Sequence, residues 1–223
     1  MYSERKFKEM QYLLRFPEKF SETEKHPVLI LMHGAGTRSE HLDKLKENPF
    51  FPITERHKDF PFVVAAPLCS RNTWFDHFET LNDFAKYIRS LSFADPERIY
   101  LIGPSMGGYA VWQMAMSNPE LYAAIVPICG GGMYWNAPRL ADLPVWAFHG
   151  DIDSVVKTEE SQKMVDKINA AGGNAKLTIY KNCGHDAWSE TYGNWEVFEW
   201  LLEHKRTGAT AQDPDFRDSK IYG

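Results

Sequence analysis

A serine stands between glycines where the sequence changes from a strand pattern to a helix pattern. Residues 99–102, IYLI, form an apolar run typical of buried strands, and from residue 110 apolar side chains recur at helical spacing. Between them, residues 103–107, GPSMG, match the motif G-x-S-x-G. In that motif a sharp, strained turn exposes the serine hydroxyl and aims the N–H groups of the next helix at the same place. Although the five-residue pattern is common, its context favours Ser105 as a nucleophile.

An aspartate and a histidine follow Ser105 at positions that suit nucleophilic catalysis. A serine hydroxyl is a weak nucleophile until a base takes its proton, and that base needs a carboxylate to orient it. With this motif, the acid and then the histidine are expected after later strands of the same sheet. Asp151 and Asp153 follow one later apolar run, and His185 follows the next. The sequence therefore predicts a Ser-Asp-His triad and leaves the two aspartates as alternatives.

Acyl transfer also needs N–H donors that stabilise the negative oxygen formed on the substrate. One donor is expected at Met106, directly after the nucleophile, and the other in a loop after an early strand. The stretch HGAG, residues 33–36, is such a loop, and its small side chains let the backbone approach a substrate. We predict that Ala35 and Met106 form this oxyanion hole. His33 and His149, which both precede a glycine at a strand end, are predicted to have structural or supporting roles.

Three tryptophans, Trp74, Trp135 and Trp188, lie in predicted loops near the strand ends. Flat aromatic side chains can line a substrate site, and they can equally well anchor loops by packing. We predict that these three bind substrate, with loop anchoring as the alternative. The 8 histidines show no metal-ligand spacing such as HxxH or HExxH, so neither a metal nor another cofactor is predicted.

Apolar runs and amphipathic segments alternate along the chain, which is the pattern of an α/β protein. Strands are predicted at 10–16, 28–32, 62–66, 99–102, 124–128, 145–148 and 176–180, and helices at 39–48, 81–91, after Ser105, and at 158–171 and 195–204. Continuous apolar strands predict a mostly parallel central sheet with helices on both faces, and binding and chemistry collect at the carboxyl ends of such strands. We predict a single domain over residues 1–206 and a polar tail over 207–223.

The composition excludes several classes of protein. Of the 223 residues, 43% are hydrophobic and 25% charged, which suits a packed domain and excludes wholesale disorder. A net charge of -5 without a basic block argues against a nucleic-acid partner.

Cys69, Cys129 and Cys183 are widely spaced, which predicts buried free thiols in a reducing compartment. No signal-like or membrane-spanning stretch is present, so we expect a cytoplasmic protein without a membrane partner, although removal of a signal would leave the same pattern. The sequence makes no prediction of oligomeric state.

The chain resembles the α/β-hydrolase superfamily, and within it the compact serine esterases described as predicted peptidases or phospholipase/carboxylesterase-like proteins. The likeness extends over about residues 12–206 and includes LMHGAG, DPERIYLIGPSMGGYAVW, VPICGGG, PVWAFHGDIDSVV and GHDAWSETYGN. The resemblance implies an α/β-hydrolase fold, a serine acyl-transfer mechanism and no metal. In the family pattern HGxxDxxV the acid is the fifth residue, which selects Asp153. Pro104 and the stretch TRS at 37–39 depart from the residues usual in these relatives and leave the substrate open.

Together these features predict a serine hydrolase that cleaves a small-molecule carboxylic ester through an acyl-enzyme. A serine peptidase of the same fold is the alternative, followed by a non-catalytic binding protein. Dienelactone-type hydrolysis would normally use cysteine at the elbow, where this chain has Ser105. The segment 126–143 is too short for a helical cap, so we expect no large cap domain. An uncapped cleft with aromatic walls suits short acyl groups joined to a flat sugar or phenolic alcohol.

Overall fold

An eight-stranded sheet forms the centre of the protein in the computed structural model, which describes residues 1–57 and 59–207. Its strands are β1 (Tyr2–Phe7), β2 (Met10–Arg15), β3 (His26–Leu31), β4 (Val63–Pro67), β5 (Ala94–Pro104), β6 (Ala124–Ile128), β7 (Trp146–Gly150) and β8 (Lys176–Tyr180). They lie in the order β1-β2-β4-β3-β5-β6-β7-β8. The β1–β2 and β2–β4 pairs are antiparallel, and the remaining pairs are parallel. The predicted α/β-hydrolase architecture with a mostly parallel sheet is confirmed.

Helices cover both faces of this sheet. In the described residues they are α1 (Asp43–Lys46), α2 (Phe50–Thr54), α3 (Phe78–Ser90), α4 (Met106–Ser117), α5 (Thr158–Ala170), α6 (Ala187–Gly193) and α7 (Trp195–Glu203). Because successive side chains of a strand point to opposite faces, each strand contributes to two cores. Ile30 and Leu101 pack with α3, α4 and α5 on one face. Leu29 and Ile102 pack with α1, α2, α6 and α7 on the other, as the continuous apolar strands predict.

The helix predicted over residues 39–48 is much shorter in the structure, where α1 covers only four residues. The side chain of Asn48 accepts a hydrogen bond from the Phe50 N–H at 3.0 Å and ends this segment. Pro49 then precedes the separate helix α2. The side chains of Asn, Asp and Ser compete for backbone groups in this way, and such local bonds interrupt helices.

Two further elements were not predicted. Strand β1 has mostly exposed side chains and lacks an apolar pattern, and it is held by its pairing with β2 at the edge of the sheet. Helix α6 begins after Asp186, whose side chain accepts a hydrogen bond from the Ser189 N–H at 3.0 Å. A carboxylate at this position is a favourable helix N-cap because it satisfies a free N–H group of the first turn. The cap places α6 directly after His185.

The segment between β6 and β7 contains the 3-10 helix Tyr134–Leu140 and, within the described residues, no cap domain. The expectation of an uncapped fold is therefore confirmed for this part of the chain. None of the described helices has both the length and the apolar composition that spanning a bilayer requires. The predicted tail lies outside the described residues from residue 208 onward, and the single-domain boundary at residue 206 stays a prediction.

Candidate active site

Ser105 occupies the sharp turn between β5 and α4. Its backbone has φ 55° and ψ -121°, a conformation that costs a residue with a side chain on the order of 1–3 kcal/mol. The turn is held by the Ser105 N–H, which donates to the Ile128 carbonyl of β6 at 2.9 Å. A Cβ atom on Gly107 would lie 1.9 Å from the carbonyl oxygen of Met32, just after β3. Only glycine allows this approach, so the motif glycine brings the end of β3 against the nucleophile.

The structure brings Ser105, His185 and Asp153 together in one chain of hydrogen bonds. The distance between Ser105 Oγ and His185 Nε2 is 2.9 Å. On the other side of the ring, His185 Nδ1 lies 2.7 Å from Asp153 Oδ2. These residues are far apart in sequence and meet because the carboxyl ends of β5, β7 and β8 share one edge of the sheet. This is the geometry of a nucleophile, a base and an orienting carboxylate.

The acid in this arrangement is Asp153, and Asp151 has a different environment. Asp153 is buried, and its Oδ1 accepts the N–H groups of Val155 at 2.8 Å and Val156 at 3.0 Å. Burial alone would raise the pKa of Asp153, but the hydrogen bonds from His185 and these two N–H groups outweigh it and hold the pKa below its usual range. Asp151 is exposed and accepts the Cys183 N–H at 3.2 Å, so it ties the two loops together.

The predicted oxyanion donors lie at the starts of two helical turns. Ala35 begins a 3-10 turn after β3, and Met106 begins α4. N–H groups in the first turn of a helix have no intrahelical acceptor and therefore remain available to a ligand. Gly34 and Ala35 line the same cavity as Ser105, and a Cβ atom on Gly34 would lie 3.4 Å from the Pro104 carbonyl. Ala35 and Met106 are thus placed suitably, and their role stays a prediction.

His33 fixes the loop that carries Ala35. Its ring is fully buried, Nδ1–H donates to the Gly34 carbonyl at 2.8 Å, and Nε2 accepts the Cys69 N–H at 3.0 Å. With one donor and one acceptor, the ring is neutral and held in a single tautomer. Burial lowers the pKa of His33 to about 4, and the bond to Gly34 offsets only part of this effect. The imidazole therefore acts as a structural link between β3 and the segment after β4.

A cavity of about 490 Å³ opens beside Ser105 and His185. Its apolar lining includes Pro49, Val155 and Trp188, and the Trp188 ring contacts the His185 ring edge to face with centroids 5.4 Å apart. The polar lining includes two nearly buried residues, Thr37 and Asn48, and two charged residues, Lys44 and Glu47. Thr37 directly follows the predicted loop, whereas no sequence signal pointed to Asn48 or Val155.

The structure places the three predicted tryptophans in different environments. Trp74 has 1% of its surface exposed and does not line the cavity, because its Nε1–H donates to the His33 carbonyl at 2.9 Å and its ring packs on that histidine. It anchors the oxyanion loop, which is the alternative role. Trp135 is 67% exposed and packs against Tyr134 in the 3-10 helix, away from the cavity lining. Trp188 lies in the cavity wall, and its substrate-binding role stays a prediction.

One group of potential metal ligands occurs among the described residues, namely Cys129, Asp153 and His185. The Asp153 and His185 atoms already bond each other directly at 2.7 Å. Burial raises the pKa of the Cys129 thiol to about 12, so a metal ion here would have to displace the thiol proton as well as the Asp153–His185 bond. The donor set therefore suits a hydrogen-bonded triad better than a metal ion. Cys69, Cys129 and Cys183 are all free, and only Cys183 is partly exposed.

A family model of the dienelactone hydrolase family matches residues 71–194, more than half of the chain. The matched segment contains Ser105, Asp153 and His185. A stretch of 100 aligned residues is 29% identical to a protein of Escherichia coli O157:H7 named "Putative carboxymethylenebutenolidase". That alignment covers 41% of this chain and 37% of the relative.

Solved structures share the fold. The crystal structure of a thermostable esterase superposes with a TM-score of 0.82 and 32% identity, over 92% of this chain and 63% of that one. Dipeptidyl peptidase 4 of Porphyromonas gingivalis superposes with a TM-score of 0.70 over 92% of this chain and 35% of that one. Its identity of 14% shows the fold alone. The chain spans less than two thirds of the length of each of these proteins.

Replacing His33 by Gln should make folding less sensitive to acid. The pKa of His33 is about 4 in the folded protein, against 6.5 for an ordinary histidine, so between these pH values the unfolded chain binds a proton that the folded chain excludes. The free energy of unfolding therefore falls as pH drops from about 6.5 to 4, by on the order of 3 kcal/mol in total. Urea unfolding between pH 7.5 and 4 should show a shallower decline for His33→Gln. His41→Gln, at an exposed histidine, is the matched control; equal slopes for wild type and His33→Gln would contradict this account.

Proposed function

The chain belongs to the dienelactone hydrolase family of α/β-hydrolases, and we propose that it hydrolyses carboxylic esters through an acyl-enzyme formed on Ser105. The observation that carries the proposal is the hydrogen-bond chain from Ser105 Oγ through His185 to the buried Asp153. Structural similarity to an esterase over 92% of the chain is in accord with it. The strained serine, the base and the carboxylate together form the machinery that covalent acyl transfer requires.

In the first half of the reaction, Ser105 Oγ attacks the acyl carbon while its proton passes to His185 Nε2. Asp153 keeps the Nδ1 proton on the far side of the ring, so Nε2 is free to accept. The substrate oxygen becomes negative and would be held by the N–H groups of Ala35 and Met106. His185 then gives the proton to the leaving alcohol, and water releases the acyl group by the same steps in reverse order.

The family name points to a lactone, and a lactone is a cyclic ester that the same attack would open. The thiols of this chain are not placed to replace Ser105 as the nucleophile. Cys129 is buried with its pKa raised by burial to about 12, and burial also raises the pKa of Cys183. A serine-based reaction therefore fits this chain, whichever ester it takes.

The cavity supports a substrate with a short acyl group and an oxygen-bearing alcohol half. Trp188, Pro49 and Val155 offer apolar contact, but the volume of about 490 Å³ has to hold both halves of the ester. Asn48 Nδ2 donates one proton to Thr37 Oγ1 at 3.1 Å. The second amide proton of Asn48 and the hydroxyl proton of Thr37 have no acceptor among the described residues. These two donors suit hydroxyl or ether oxygens such as those of a sugar or a phenolic group.

Ser105→Ala should abolish ester hydrolysis while the protein stays folded. Removal of the nucleophile costs on the order of 10⁶-fold in kcat when the triad acts as a unit. A fluorophosphonate probe should label wild-type Ser105 stoichiometrically and leave Ser105→Ala unlabelled, with Ser154→Ala as a labelled control. Peptide mapping identifies the modified residue. Absence of labelling in folded wild-type protein would favour a non-catalytic binding protein, and hydrolysis of peptides but not of esters would favour a peptidase.

Asp153→Asn should reduce kcat far more than Asp151→Asn. An amide at position 153 presents a donor or a neutral acceptor to His185 Nδ1 and favours the wrong tautomer, a change that costs about 10⁴-fold in kcat. Asp151 bonds only to the loop backbone, so its variant should retain most of the activity. Both variants are assayed on one activated ester, with circular dichroism as the check of folding. An equal loss, or a larger one at Asp151, would reject Asp153 as the acid.

Acetyl and butyryl esters should be better substrates than esters of ten or more carbons. Each methylene adds about 0.8 kcal/mol of binding only where it is buried, and a cavity of about 490 Å³ leaves little room for a long acyl chain beside the alcohol half. The measurement is kcat/KM for acyl esters of one phenol, at concentrations below micelle formation. A steady rise of kcat/KM with chain length would show that a longer acyl pocket exists.

A further inference from the structure

Arg38 is a charged residue beside the active site that the reaction steps above do not use. It belongs to the stretch TRS at 37–39, which departs from the residues usual in related esterases. Arg38 ends the 3-10 turn Ala35–Thr37, which contains the predicted oxyanion donor Ala35. Its side chain is exposed and yet makes two directed hydrogen bonds to the backbone. The partners of these bonds indicate what the side chain does.

The guanidinium of Arg38 joins two loops at the edge of the active site. Its Nε–H donates to the Ala35 carbonyl at 3.0 Å, and its Nη1–H donates to the Asn72 carbonyl at 2.6 Å. The backbone N–H of Arg38 donates to the same Ala35 carbonyl at 3.2 Å. Because a guanidinium only donates and a carbonyl only accepts, the direction of these bonds is fixed. The planar group holds its N–H donors in a rigid fork, so it couples the two carbonyls to each other.

The segment that contains Asn72 is itself firmly held. The Thr73 N–H, one residue further on, donates to Asp76 Oδ2 at 2.9 Å and forms part of a capping box. This box begins the 3-10 helix Trp74–His77, whose buried tryptophan also bonds to the backbone before the oxyanion loop. The Asn72 carbonyl is therefore a fixed point, and a side chain bonded to it can hold a neighbouring loop in place.

The two peptide groups on either side of the Ala35 Cα are held by different side chains. The Ala35 N–H belongs to the same peptide group as the Gly34 carbonyl, which accepts His33 Nδ1–H at 2.8 Å and the Thr37 N–H at 3.2 Å. The next peptide group contains the Ala35 carbonyl, which Arg38 holds. Since peptide groups are planar, fixing both of them fixes the two backbone torsion angles of Ala35. His33 acts from the buried side of the loop, and Arg38 acts from the surface.

We propose that Arg38 is a positioning residue for the oxyanion hole; this inference rests on the function proposed above. By tying the Ala35 carbonyl to the Asn72 carbonyl, Arg38 keeps the Ala35 N–H aimed at the substrate oxygen. An N–H donor stabilises the developing negative charge best when it is oriented before the reaction begins. Loosening the loop therefore weakens the transition state more than it weakens the binding of the ester.

Arg38→Ala should lower kcat on a neutral activated ester and leave KM close to its wild-type value. The expected loss is about tenfold, which is smaller than the roughly 10²–10³-fold loss on removal of an oxyanion donor itself. Arg38→Lys keeps the positive charge but lacks the fork that joins both carbonyls, so it should show most of the same loss. A neutral substrate ensures that the effect does not come from attraction between the arginine and a charged ester.

Arg71→Ala is the matched control. Arg71 is also exposed and lines the same polar surface depression as Arg38, but its Nη1–H donates to the Asp76 carbonyl at 2.8 Å and does not reach the oxyanion loop. Its removal should leave both kcat and KM near their wild-type values. An equal loss of kcat in Arg71→Ala and Arg38→Ala would show a general effect of surface charge and would overturn the proposal.

A trifluoromethyl ketone inhibitor separates positioning from simple structural support. Ser105 Oγ adds to the carbonyl carbon of this inhibitor, the proton passes to His185, and the carbonyl oxygen becomes a stable oxyanion in the hole. Its inhibition constant should therefore rise in Arg38→Ala by about the factor by which kcat falls. Fluorophosphonate labelling should still reach one probe per chain, because the triad stays folded.

Three results would overturn the proposal. They are wild-type kcat and inhibitor affinity in Arg38→Ala, a loss confined to KM, and a loss of kcat explained by a smaller labelled fraction with unchanged inhibitor affinity. Wild-type protein that the fluorophosphonate fails to label would instead reject the proposed function, so the two failures are told apart by the wild-type labelling alone.

Discussion

The contact between the end of β3 and the first turn of α4 is the constraint on which the rest of the site depends. Gly107 lies so close to the Met32 carbonyl that any larger residue would push the two segments apart. This contact sets the strained serine of the elbow beside the loop that carries Ala35. A side chain at this point would separate the nucleophile from the N–H donors, although each would still stand on a correctly folded element. The close packing of the backbone after β3 against the first turn of α4 therefore places the nucleophile and the N–H donors in one site.

Two buried histidines, His33 and His149, hold the loops around this contact in place. His33 links the oxyanion loop to the segment after β4. The Trp74 side chain packs on His33, and its Nε1–H donates to the His33 carbonyl. His149 occupies the equivalent place at the end of β7 and faces Asp153. The two rings differ in their partners, because His33 Nε2 meets the Cys69 N–H and His149 Nε2 meets the Val156 carbonyl. In the interior, where water cannot supply a missing partner, such hydrogen bonds hold each ring in one orientation.

The substrate side of the site is built from elements that are short and irregular. The cavity wall combines Trp188 from α6 with Thr37 and Asn48 from the segments before α2. These segments are interrupted by side-chain hydrogen bonds such as that of Asn48, so they fold as brief turns around the opening. Without a cap domain in the described residues, selectivity rests on these few side chains. The reacting groups, in contrast, follow the carboxyl ends of the regular parallel strands β5, β7 and β8.

The sequence by itself predicted every described strand except β1, the mostly parallel sheet, and Ser105 and His185 as reacting groups, because apolar runs and the serine motif are local patterns with a direct physical cause. The residues left Asp151 and Asp153 open, and the family pattern selected Asp153; the 2.7 Å contact with His185 supports that choice. Only the tertiary structure decided that Trp74 is buried, that Trp135 lies away from the cavity, and that Asn48 lines it. Burial and hydrogen bonding depend on partners distant in the chain, and no local pattern records which partner a side chain will meet.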